Sequence, residues 1–99
     1  MSWRVRYTRA ARDDLLRLYA FVLEHDAAAA KRAIEVIDKS VDLLRTFPFS
    51  CRKADPDNPF LREMLVSFGR SGYVALYEIE DDHHVTILAI RHQREDDYH

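Results

Sequence analysis

The last third of the chain limits the possible folds more than any other stretch. Leu61–Phe68, Tyr73–Ile79 and Val85–Ile90 are three apolar runs of strand length. Gly69-Arg70-Ser71-Gly72 separates the first two, and a polar turn around Asp81, Asp82 and His83 separates the last two. Met64, Val66 and Phe68 alternate along the first run, the period of a strand with one buried face. Strands joined by turns this short pair antiparallel. A sheet of this size needs a cover on one face before it is stable.

The cover lies upstream. Thr8 can cap a helix, with Asp13 and Asp14 in its early turns, where carboxylates favour the helix dipole. Leu15, Leu18, Tyr19 and Val22 then recur at i, i+3, i+4 and i+7, the stripe of an amphipathic helix. After a break near His25, Asp26 offers a second cap. Ala30, Ala33, Ile34, Ile37, Val41 and Leu44 form the stripe of a second helix that ends before Pro48. Two helices with so short a connection form an antiparallel hairpin, and the alanine run lets them approach closely. Trp3–Tyr7 alternates as a half-buried strand, and Phe47–Pro59, with its prolines, aspartates and Asn58, reads as a long loop. The expected class is α+β, a single domain over residues 1–99. It has an N-terminal strand and a helical hairpin packed on a small antiparallel sheet, in the order β-α-α-β-β-β. The tyrosines at 7, 19, 73 and 77 sit on apolar periods and read as core.

Composition narrows the function classes. With 47% hydrophobic and 32% charged residues, 2 Gly and 3 Pro, the chain is globular and not a low-complexity or disordered type. A formal net charge of −2 argues against a dedicated nucleic-acid binder. Cys51 is the only cysteine, so no intrachain disulfide or thiolate cluster forms; Arg52 and Lys53 beside it would favour a thiolate, against the plainer reading of a loop cysteine. His25, His83, His84, His92 and His99 lack metal-ligand spacing, and no phosphate-binding glycine loop occurs, so neither metal nor cofactor is expected. The chain has no apolar run long enough to span a bilayer and no signal-peptide block, which predicts a cytoplasmic protein without a membrane partner. Arg4, Arg6, Arg9, Arg12 and Arg17 crowd the start, whereas Glu78, Glu80, Asp81 and Asp82 crowd a late turn.

Three clusters carry candidate chemistry. Arg91-His92-Gln93-Arg94, with Tyr98 shortly after, ends the last apolar run and combines cationic forks, a protonatable imidazole and a phenol. Such a set can meet an anionic or protein partner, or supply the base, acid and cations that RNA cleavage through the 2′-OH requires. Its plain alternative is a solvated strand end. Arg62 shares a face with Met64, Val66 and Phe68 if the strand is regular, at the rim of an apolar surface; a structural salt bridge to Glu63 or Glu78 is the alternative. Arg52-Lys53 in the loop is a phosphate contact or a solvated pair.

The order of elements and several stretches resemble the RelE/ParE toxin superfamily of type II toxin–antitoxin modules. These stretches are Tyr7-x-x-x-Ala11-x-x-Asp14-Leu15, Leu61-Arg62-Glu63, Gly72-Tyr73-Val74-Ala75-Leu76-Tyr77, and Val85 through Glu95. The ending is most similar to the ParE, or plasmid-stabilisation, branch. The resemblance implies a cognate ParD-like antitoxin, a homodimer or a toxin–antitoxin hetero-oligomer, and one of two modes of action. A ParE-like toxin poisons DNA gyrase by binding it, with Arg91, His92 and Arg94 facing the target. A RelE-like toxin cuts mRNA on the ribosome, for which Arg62, Arg91, His92 and Tyr98 would be the catalytic set. The acidic balance and the scarcity of lysines near the strands favour the ParE-like mode. A module that binds its antitoxin and harms nothing is a third reading.

Overall fold

A computed structural model describes residues 2–94. The chain runs β1 (Arg4–Tyr7), α1 (Arg9–Leu23), α2 (Ala27–Leu43), β2 (Arg52–Asp55), β3 (Asn58–Phe68), β4 (Ser71–Ile79) and β5 (His84–His92). Both helices start at the capping residues. Thr8 Oγ1 accepts from the Ala11 N–H and Asp26 Oδ1 from the Ala29 N–H, each at 3.1 Å, which satisfies a donor that a first helical turn leaves open. Ala30 and Ala33 are buried where α2 meets its neighbours.

The α+β class holds, and the sheet is mixed. Its strand order is β1-β5-β4-β3-β2. β3, β4 and β5 pair antiparallel, as their short turns require, but β1 lies parallel to β5, with Arg4 opposite His84 and Tyr7 opposite Ile87. This pairing joins the two charge sets that are far apart in sequence: Arg6 bonds and ion-pairs with Glu80, whose other oxygen accepts from Thr86 Oγ1 at 2.7 Å.

The stretch 47–59 departs from expectation, since it contains a strand and not only a loop. β2 pairs antiparallel with β3 through the hairpin at Pro56-Asp57, where Asp55 Oδ1 accepts from the Asp57 N–H at 2.9 Å. Arg-Lys-Ala-Asp has no apolar alternation because β2 is the edge strand, and charged side chains are how edges avoid further pairing. Arg52 faces Glu63 across the pair, Nε to Oε1 at 3.1 Å. Glu63 therefore ion-pairs with Arg52.

One face of the sheet carries the core. Met64, Val66, Tyr73, Ala75, Tyr77, Ile79, Val85, Ile87 and Ile90 pack with Ala11, Leu18, Ala33, Ile37, Val41 and Leu44 from the helices. Tyr73 and Tyr77 are buried as expected, Tyr7 is half-buried, and Tyr19 lies on the exposed side of α1.

The β4–β5 ladder slips by one residue: Leu76 faces Ala89 and Tyr77 faces Ile87, so Leu88 is a bulge. Beyond Ile87 the edge of β5 has no β1 partner, and α1 takes over. Thr8 N–H donates to Ile87 O at 3.0 Å, Thr8 Oγ1 donates to Leu88 O at 3.2 Å, and Asp14 Oδ2 accepts from the Ile90 N–H at 2.9 Å. Asp14 thus serves the backbone of β5. The first turn of α1 holds no acidic residue, contrary to the dipole reading.

Candidate functional site

The end of β5 is shaped by strand alternation, which sends neighbouring side chains to opposite faces. His92 lies opposite Tyr73 and shares the helix-covered face, whereas Arg91 lies opposite Val74 on the other face. The adjacent pair is therefore split. Arg91 Nη1 donates to His92 O at 3.3 Å, along the strand end. His92 meets the Tyr73 ring edge-on, with centroids 5.7 Å apart. Its Nδ1 accepts from the Arg94 N–H at 3.1 Å, which assigns the ring proton to Nε2, 3.0 Å from Ser71 Oγ. Both imidazole nitrogens are thus engaged by the chain itself, and they tie the residues after β5 to the start of β4.

The start of β4 depends on a glycine. A Cβ at Gly72 would stand 1.9 Å from Val66 O, and the Gly72 carbonyl accepts from the Gln93 N–H at 2.9 Å. The close approach of β3, β4 and the end of β5 therefore needs a residue with no side chain there.

Arg62 lies at the other end of the same sheet face. It pairs with Tyr77, four residues along β4 from the Tyr73 that faces His92, roughly 13 Å at the rise of a strand. Its guanidinium donates to Pro59 O at 2.6 Å, Cys51 O at 2.8 Å and Phe49 O at 3.2 Å, and it sits 5.4 Å from the centroid of the Phe49 ring. Tyr77 Oη fixes the same loop by donating to Pro48 O at 2.5 Å, and burial pushes that phenol far above its ordinary value. Arg62 and Tyr77 together pin the 48–51 loop to the sheet. Tyr98 lies outside the described residues.

Two of the anticipated residues do converge, and they do so with residues the sequence reading missed. A groove of about 670 Å³ runs between α1 and the strand ends. Leu18, Phe21, Val22, Phe68 and Tyr73 form its apolar walls, and Arg17, His92, Arg94 and Ser71 its polar rim. Burial raises the Tyr73 phenol, which keeps it a hydrogen-bond donor at neutral pH. Phe21 is 64% exposed although it is a large apolar side chain in the middle of a helix turn, and Leu16 is 67% exposed. These were the available signals: α1 has apolar residues outside the stripe that faces the sheet. Arg17 sits one helical turn before Phe21, on the groove side. Among the described residues no group of three or more His, Cys, Asp or Glu could hold a metal ion, and no helix is long and apolar enough to cross a membrane.

The site is thus an apolar trough with a polar, arginine-bearing rim, on a mixed sheet covered by two helices. Comparison with known proteins gives the family of the chain. Residues 5–97 match the model of the ParE toxin of type II toxin–antitoxin systems, parDE, so the chain belongs to the ParE toxin family within the RelE/ParE superfamily. It is 36% identical to "Toxin RelE3" of Caulobacter vibrioides over 86% of this chain and 88% of that one, and 30% identical to "Toxin RelE1" of the same organism over 80% and 82%. Among solved structures, it resembles the chromosomal ParDE system from P. aeruginosa with a TM-score of 0.72 at 20% identity, covering 92% of this chain and 96% of that one. The toxin–antitoxin complex RelBE2 from Mycobacterium tuberculosis aligns with a TM-score of 0.62 at 25% identity, over 96% and 95%.

Proposed function

We propose that this toxin arrests growth in the cytoplasm by binding a protein, DNA gyrase, through the groove between α1 and the ends of β4 and β5, and that a cognate ParD-like antitoxin silences it by occupying the same groove. The observation that carries this reading is where two arginines and an imidazole converge. Arg17, His92 and Arg94 rim an apolar trough, the surface that suits an amphipathic helix or strand with acidic flanks. Arg62, which a nuclease would need at the phosphate, spends three N–H bonds on loop carbonyls and sits at the opposite end of the sheet face from His92. The net charge of −2 also suits a protein target better than ribosomal RNA. Arg91 contributes from the outer face, at the margin of the same strand end.

The alternative is a ribosome-dependent mRNA endoribonuclease using Arg62, Arg91, His92 and Tyr98. The names of the two Caulobacter relatives favour it. Induced expression without antitoxin separates the two. The proposal expects growth arrest, a DNA-damage response and intact mRNA, relieved when Arg91, His92 and Arg94 are replaced by Ala. Codon-phased mRNA cuts would instead establish the nuclease, and their loss in Arg62→Ala without loss of stability would make Arg62 part of it. Expression with no growth phenotype would leave an inert antitoxin-binding module.

A further inference from the structure

A second concave surface lies at the opposite end of the sheet, about 450 Å³ in volume, where the 48–60 segment meets the β4–β5 turn. Trp3, Phe49 and Phe60 form its aromatic walls. Trp3 and Phe49 meet with centroids 6.5 Å apart at 75°, and Phe49 and Phe60 at 6.2 Å and 70°, so successive ring planes stand nearly at right angles, like the walls of a box. Trp3 is anchored from both sides, its backbone N–H to Arg45 O at 2.8 Å and its Nε1 to Asp81 O at 3.1 Å. Phe49 and Phe60 are about half exposed, at 47% and 49%.

The rim of this box is acidic, and its carboxylates divide into two kinds. Glu80 is held by Arg6 and Thr86, and Asp81 by the His83 and His84 N–H groups and the His84 ring. Asp82 makes no side-chain hydrogen bond or ion pair among the described residues and lines the cavity, whereas Glu78, opposite Leu61, lies on the other face of β4 from Tyr77 and Ile79. Ring faces present negative charge and attract cations, most strongly when carboxylates stand beside them. The chain itself already satisfies one ring in this way, since the Arg62 guanidinium sits 5.4 Å from the Phe49 centroid.

We propose that this aromatic, acid-rimmed box is a second docking site, which takes an arginine side chain from a basic segment of a partner protein. The guanidinium would lie against Trp3 and Phe60 and bond the carboxylate of Asp82, in the turn beyond β4. A planar guanidinium fits stacking and carboxylate bonding at once, which a compact ammonium does not.

Trp3 is the only tryptophan of the chain, so its fluorescence reports on this site directly. The full chain is titrated with the capped pentapeptide Gly-Arg-Ala-Arg-Gly and with its uncharged citrulline counterpart. The proposal expects a saturable Trp3 response to the arginine peptide and affinity at least about tenfold weaker for citrulline. Phe60→Ala should weaken binding about fivefold, and Asp82→Asn should weaken it while adding salt has little further effect. Arg94→Glu, in the other groove, should leave this binding unchanged. Because all these side chains are partly or fully exposed, an unchanged circular dichroism spectrum separates lost binding from lost fold. Equal affinity for the two peptides, or no saturable response up to about 10 mM peptide, would overturn the proposal.

Discussion

At the scale of single residues, three positions do structural work that their residue type alone does not announce. Arg62 holds the carbonyls of Phe49, Cys51 and Pro59, so Arg62→Ala should destabilise the protein by about 2 kcal/mol, the worth of hydrogen bonds from a charged donor. Chemical denaturation measures this, and Arg62→Lys should rescue little, because an ammonium cannot span the same fork. At Gly72 a methyl group would run into the Val66 carbonyl. Gly72→Ala is therefore expected to cost about 2 kcal/mol or more, and to lower the melting temperature by roughly 10 °C in a domain of this size. Glu80 is the pH-sensitive case. Its bond from Thr86, then its bond from Arg6, hold its carboxyl below the ordinary value of 4.5. A lowered folded value means that the ion stabilises the fold above about pH 4.5 and that this stabilisation is lost as pH falls through the folded value. Melting curves of the wild type and Glu80→Gln should differ near neutrality and converge in acid.

At the scale of elements, the contact between α1 and β5 positions the site. Thr8 and Asp14 together bond the edge of β5 on either side of the Leu88 bulge, and the groove opens one to two turns further along the same helix. Asp14→Ala leaves the Ile90 N–H without its partner, and should raise amide exchange in β5 beyond Ile87 more than in β3. The helix caps, the amphipathic stripes and the three antiparallel strands were legible in the sequence, because each rests on local chemistry and a period. β2 was not, since an edge strand of charged residues carries no apolar alternation. The parallel partnership of β1 with β5 was equally hidden, because it joins residues about eighty positions apart, and so was the bulge at Leu88, which leaves no mark in the apolar run from Val85 to Ile90. On α1, the exposed Phe21 marks the groove wall. Phe21→Ser should change stability by no more than about 0.5 kcal/mol, as at other exposed sites, yet weaken antitoxin binding tenfold or so by calorimetry.

At the scale of the whole molecule, the two ends of the sheet differ in charge. The α1–β5 groove is rimmed by Arg17, His92 and Arg94, and the far box by Glu80, Asp81 and Asp82. The sequence showed basic and acidic clusters, but it placed the basic one at the start of the chain. Folding pairs Arg6 with Glu80 and brings Arg17, which ion-pairs with Asp14 at 3.8 Å, to the same rim as Arg94 from the opposite terminus. Arg91-His92-Arg94 looked like one cluster in sequence, and strand alternation divides it between two faces. Under the proposed function, the cationic end takes an acidic, amphipathic segment, and antitoxin and target would compete for it. The most direct test is gyrase supercoiling with purified wild-type chain and with Arg94→Glu, an exposed rim residue whose charge reversal leaves the core untouched. The account predicts inhibition by the wild type that falls at least about tenfold in the variant and is abolished by adding antitoxin. Full gyrase activity in the presence of wild-type toxin that still arrests growth would contradict it.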